Sequence, residues 1–155
     1  MNLAATAPSW LLFLFIFLLA AAAAEDALRL RISNLTCLLI LVAAIAAAMF
    51  AGPRLALWQN AATFAVLLAL GTPIFAAGKL GGGDVKLIAA CGAWFDLRSG
   101  ATMLINVLLA GGILALVVLI IRTFRRRGDD RLDTKTSTGI PYGVAIAFGT
   151  LLILR

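Results

Sequence analysis

"AGKLGGGDVKLIAA", residues 77–90, places three glycines, Gly81, Gly82 and Gly83, directly before Asp84 and between two apolar runs. Glycine weakens a helix by about 1 kcal/mol relative to alanine, and an ionised carboxylate beside hydrocarbon is costly. A chain heading back into apolar surroundings would pay both penalties only where it needs a bare backbone and an acid together. A flexible turn closed by a helix-capping aspartate has the same composition, so the stretch alone leaves both readings open.

The rest of the chain supplies the surroundings. Its 155 residues are 63% hydrophobic and 13% charged, and the mean hydropathy is +1.08. Average soluble chains are roughly a quarter charged, so this much apolar surface points to a bilayer as the solvent. Six stretches approach the length of a membrane-crossing helix: residues 8–25, 36–53, 58–78, 84–98, 101–122 and 139–154. The fourth is the shortest. Nothing alternates as a β-barrel would, so the expectation is an all-α bundle of six transmembrane helices forming one domain over residues 1–155. The first run ends in small residues, as a cleaved signal does. It lacks the basic start of one, so a retained span is expected.

Orientation follows from charge. Connections one, three and five hold ten Lys and Arg, whereas two, four and the tail hold three. Basic loops stay in the cytoplasm. The expected cytoplasmic loops are therefore about 26–35, 79–86 and 123–138, with both termini outside. The net charge of +6 reads as topology rather than as phosphate binding, and no nucleic-acid partner is expected. Trp10, Trp58 and Trp94 fall at the outer ends of spans, as an interfacial aromatic belt would place them. The chain has no histidine, and Cys37 and Cys91 form no CxxC pair, so metal ligands are lacking and both thiols read as small packing residues.

Counting spans also sorts the acids. Asp26 closes the first span and Asp84 opens the fourth, so both emerge at the same face. Asp96 lies one span further on, at the opposite face. Asp129, Asp130 and Asp133 sit in the Arg-rich fifth loop, where solvated pairing is the default. Glu25 adjoins Asp26 but points about 100° away from it on a helix. Only Asp26 and Asp84 can meet at the edge of lipid. Two carboxylates brought close share one proton and titrate as a couple, as in the aspartic proteases. Partial burial would raise the upper value of that couple. The ionised member can take a proton from water while the neutral one polarises a peptide carbonyl. Gly81–Gly83 would let an extended peptide backbone approach Asp84, and Lys86 would reach up to the cytoplasmic interface.

These residues resemble a known family. "GGGDVK" at 81–86 fits the GxGD pattern of membrane aspartyl proteases and looks like the type IV prepilin peptidases. "DALRLRISN" at 26–34 resembles the family's other signature, in which Ile-Pro-Asn begins six residues after an aspartate. Ile32 and Asn34 are in register, and Ser33 stands where proline is usual. "GIPYGVAIAFGTLLIL" from Gly139 is similar to the last span of the short Flp/Tad-pilus members.

The resemblance implies an endopeptidase of the bacterial inner membrane. It would cut the basic leader from prepilins or pseudopilins at the cytoplasmic face, ahead of their hydrophobic helix. Asp26 and Asp84 match the catalytic residues, and no metal or other cofactor is needed. Asn34, Lys86 and the three glycines would line the site. Long members also carry a CxxC-bearing insertion and methylate the new terminus. Here ten residues join the first two spans, so methyltransfer has nowhere to sit. Ser33 would leave the chain near Asp26 looser than proline does. An archaeal preflagellin peptidase is close in pattern, whereas a presenilin relative would carry Tyr-Asp where Glu25 precedes Asp26. From another class, two intramembrane acids could serve a small ion- or proton-coupled transporter.

Overall fold

The computed structural model describes residues 2–52, 55–126 and 142–154. Arg54, most of the basic loop 123–138 and the segment 139–141 lie outside the described residues. The elements are helices: α1 (Leu3–Thr6), α2 (Ser9–Arg29), α3 (Asn34–Ala51), a 3-10 turn (Leu55–Leu57), α4 (Trp58–Ala76), α5 (Gly82–Gly92), α6 (Leu97–Arg126) and α7 (Tyr142–Leu151). No strand occurs among the described residues.

Four of these helices, α2, α3, α4 and α6, are long and apolar enough to cross a bilayer. Their outer surfaces agree with that solvent. Phe13 and Phe17 of α2 are 72% and 69% exposed, and Met49, Leu109 and Ile113 are similarly bare. In water such a surface would be a large uncovered apolar patch; against lipid tails it carries no penalty.

The expected fourth span, 84–98, is replaced by something shorter. The helix begins two residues earlier and runs for only 11, about half of what a crossing needs. A turn at Ala93–Phe95 follows it. α5 is instead the centre of the bundle, packed on α3, α4, α6 and α7. Val85 and every residue from Leu87 to Gly92 are buried. Small side chains explain the position, because "AACG" lets four neighbours approach one helix.

Trp94 departs from the expected belt. It is fully buried, stacks on Phe15 with ring centroids 4.2 Å apart, and its indole N–H donates to the Ile40 carbonyl at 3.2 Å. Trp10 and Trp58 are 56% and 62% exposed, as interfacial residues would be. The short α1 was not expected. It folds over the end of the bundle, buries Leu3 and donates the Leu3 N–H to the Trp94 carbonyl at 2.8 Å. Cys37 and Cys91 are buried and unpaired by disulfide, in keeping with a packing role.

Candidate active site

α2 continues past Asp26 for three residues, so the acid sits in the last helical turn and not in the expected loop 26–35. Asp26 is 5% exposed. One carboxylate oxygen accepts the backbone N–H of Gly143, at the start of α7. That donor belongs to the first turn of a helix, where N–H groups have no intrahelical partner. Gly143 must lack a side chain there, because a Cβ would come within 2.8 Å of the Asp26 Cβ and 3.0 Å of its Oδ2.

Asp84 lies in the first turn of α5, likewise inside a helix and not in a loop. Its Oδ2 accepts the Gly81 N–H at 3.2 Å, which is the acidic half of a capping box. The capping reading of the sequence is therefore correct as far as it goes. It does not exhaust the residue, since Asp84 and Asp26 line one cleft of about 270 Å³ together with Leu30, Ile32 and Gly81–Gly83. Burial pushes the Asp84 carboxyl up to about 6 from 3.8, the negative charge of Asp26 adds to the rise, and the Gly81 N–H opposes it.

The glycines answer the question set by their spacing in two ways. They leave the cleft floor bare, and they also let the chain close on itself. A Cβ at Gly81 would sit 2.7 Å from the Asp84 Oδ2, and one at Gly83 would sit 3.1 Å from the Ile32 Cβ. The two stretches that carry the acids are thus pressed together through Gly83.

Lys86 is exposed, and its ammonium donates to the Asn34 Oδ1 at 2.8 Å, tying α5 to the first residue of α3. Neither side chain lines the cleft. Glu25 points away from Asp26, as its helical offset requires. Its carboxylate accepts the Ser33 N–H at 2.9 Å and the Thr36 hydroxyl at 3.1 Å. Ser33 is well anchored: its hydroxyl caps α3 by accepting the Leu35 N–H at 3.1 Å. Two hydrogen bonds thus hold the position where a proline ring is usual in the family.

Asp96 lies at the other end of α5 and caps α6, its Oδ1 accepting the Ser99 N–H at 2.8 Å. That hydrogen bond holds its carboxyl below the usual range. A larger cleft, about 340 Å³, opens at that same end between α3 and α4. Its lining is hydrocarbon apart from Asn60, whose amide donates to the Ala93 carbonyl. No acidic or basic side chain is among its lining residues. Among the described residues no group of three or more His, Cys, Asp or Glu could hold a metal.

The sequence has a counterpart among known protein families. The model of the type IV leader peptidase family matches residues 12–120, a span that contains Asp26, Gly81–Gly83 and Asp84. The chain belongs to that family. Its activity class is accordingly that of a protease acting on leader peptides. No curated protein and no solved structure matches it significantly.

The residue that sequence reasoning missed is Gly143. A signal was available, a glycine at the start of the last apolar stretch. Its role rests on a backbone N–H, however, and side-chain chemistry read along the chain does not reveal backbone donors.

Proposed function

We propose that this leader peptidase is an aspartic endopeptidase that removes the basic leader of prepilins or pseudopilins at the cytoplasmic face of a bacterial inner membrane. The observation that carries the reading is the shared cleft: two carboxylates from helices distant in sequence border one solvent-accessible space floored by glycine. An extended peptide entering there would lie along Gly81–Gly83 with its carbonyl between the acids.

The chemistry needs one proton on the pair. The pair shares that proton; we assign it to Asp84, whose carboxyl is pushed up, and give the role of base to Asp26, which accepts the Gly143 N–H. Asp26 takes a proton from water as the water oxygen bonds to the peptide carbon. Asp84 gives its proton to the carbonyl oxygen, forming a neutral gem-diol. The C–N bond then breaks, the Asp26 proton passes to the departing amine, and a diol proton returns to Asp84. Atoms and charge balance without a metal. Basic leader and apolar helix suit the surroundings, since the first would lie in the cytoplasm and the second in lipid.

The decisive experiment is co-expression with prepilin-type substrates carrying a basic leader before an apolar helix. Asp26→Asn and Asp84→Asn should insert and fold yet leave the substrate at full length, a loss of at least about a hundredfold in rate. A variant that processes at the normal rate removes its residue from the mechanism. Ion flux in liposomes without any change in substrate size would instead favour a carrier.

A further inference from the structure

The mechanism uses two acids, but a third carboxylate lies beside them and is committed elsewhere. Glu25 precedes Asp26 on the same helical turn and reaches across the α2–α3 linker, residues 30–33, to Ser33 and Thr36. That linker is short and forced. Leu30 is left-handed at φ 51°, the one non-glycine residue with positive φ among the described residues. An L side chain disfavours that conformation, so something must hold the turn in place. On one side the Leu30 N–H returns to the Asp26 carbonyl at 2.8 Å. On the other side Glu25 accepts the Ser33 N–H at 2.9 Å and the buried Thr36 hydroxyl at 3.1 Å.

Between these two anchors lies Ile32, which borders the cleft and presses on Gly83, next to Asp84. The start of α3 is also tied to α5 by the Asn34–Lys86 contact. Polar links therefore run from the helix of Asp26, through the first turn of α3, to the helix of Asp84. We propose that Glu25 is a positioning residue for this site, fixing through Ser33 and Thr36 the linker whose Ile32 separates and aligns the two acids. This rests on the reading of Asp26 and Asp84 as the catalytic pair.

Ser33 makes the inference specific. Its φ of −67° is one that a proline ring would impose, so the backbone here follows the shape that proline dictates without the ring. A proline has no N–H to offer Glu25. Chain restraint comes instead from the Glu25 hydrogen bond, and the two devices should be interchangeable at this position.

The test uses the full chain with a prepilin-type substrate, in membranes matched for enzyme amount and melting temperature. Glu25→Ala should lower kcat by about tenfold or more with KM changed less than threefold, as a small displacement of catalytic groups does. Glu25→Gln keeps an acceptor for the Ser33 N–H and replaces the acceptor facing Thr36 with an amide N–H that the Thr36 hydroxyl can accept, and should stay within about threefold of the parent. Adding Ser33→Pro to Glu25→Ala should recover most of the lost kcat, which a general loss of packing would not allow. The proposal is overturned if Glu25→Ala cuts at the parent rate, or if Ser33→Pro restores nothing. Asp26→Asn is run alongside: if it is inactive while Glu25→Ala is unaffected, Glu25 alone is wrongly assigned. An active Asp26→Asn removes the site that Glu25 would position and overturns both readings.

Discussion

Asp84 connects burial to chemistry at the level of a single side chain. Its carboxyl is raised to about 6, first by desolvation and then by the charge of Asp26. The folded state therefore holds the proton more tightly than the unfolded chain, where 3.8 applies. The stabilisation is complete below about 3.8 and is lost as pH rises through about 6. Infrared titration of the protonated carboxyl band should show a component that disappears near pH 6 and is missing in Asp84→Asn. In Asp26→Asn that component should move to lower pH, because the neighbouring charge is gone while burial remains. An unmoved midpoint would mean that the two carboxylates do not sense one another. Counting spans was enough to bring these two acids to one face. The Gly143 contact was beyond that arithmetic, since it joins a side chain to a backbone N–H more than a hundred residues away. Trp94 was misplaced for a related reason: span ends show where an indole lies along the membrane normal, not whether it faces lipid or Phe15.

Helices reveal how the site is braced. α5 reads as a short fourth span because its apolar run continues through "CGAWF", and hydropathy cannot register that the helix stops at Gly92. Burial, not length, marks its place in the bundle. α7 is also short, at 10 described residues, and it supplies the Gly143 donor, so its docking on α6 bears directly on Asp26. The docking is close. A Cβ at Gly149 would meet the Val107 backbone N at 2.6 Å and its Cα at 2.7 Å, and backbone cannot yield as a flexible side chain can. Gly149→Leu should push α7 away from α6 and lower the melting temperature in detergent by several degrees, through a cost of about 1–3 kcal/mol. Substrate cleavage should fall further than the stability loss alone explains, because Gly143 shifts with its helix. Cleavage at the parent rate by a folded Gly149→Leu protein would show that the exact seat of α7 does not matter to Asp26.

At the scale of the whole molecule, one arrangement must satisfy charge, lipid and substrate together. The aspartate cleft and the apolar cleft lie at opposite ends of α5, and the first is bordered by Arg31 while the second is almost entirely hydrocarbon. The basic residues of connections one and three gather at the aspartate end, the end that the positive-inside rule would place in the cytoplasm under the proposed function. A leader rich in Lys and Arg would itself be retained there by the same rule, so enzyme and substrate would be oriented by one physical cause. Leu28, 84% exposed beside Asp26, and Leu97, 41% exposed at the start of α6, report the two ends without altering a charge. In a background with Cys37 and Cys91 replaced by alanine, Leu28→Cys should react with a membrane-impermeant maleimide in inside-out vesicles and not in right-side-out ones. Leu97→Cys should show the reverse. Labelling of Leu28→Cys from the outer side would put the two aspartates on the far face from any newly made prepilin leader. The cleft could then remain a pair of coupled acids, but cleavage at the cytoplasmic face would be impossible.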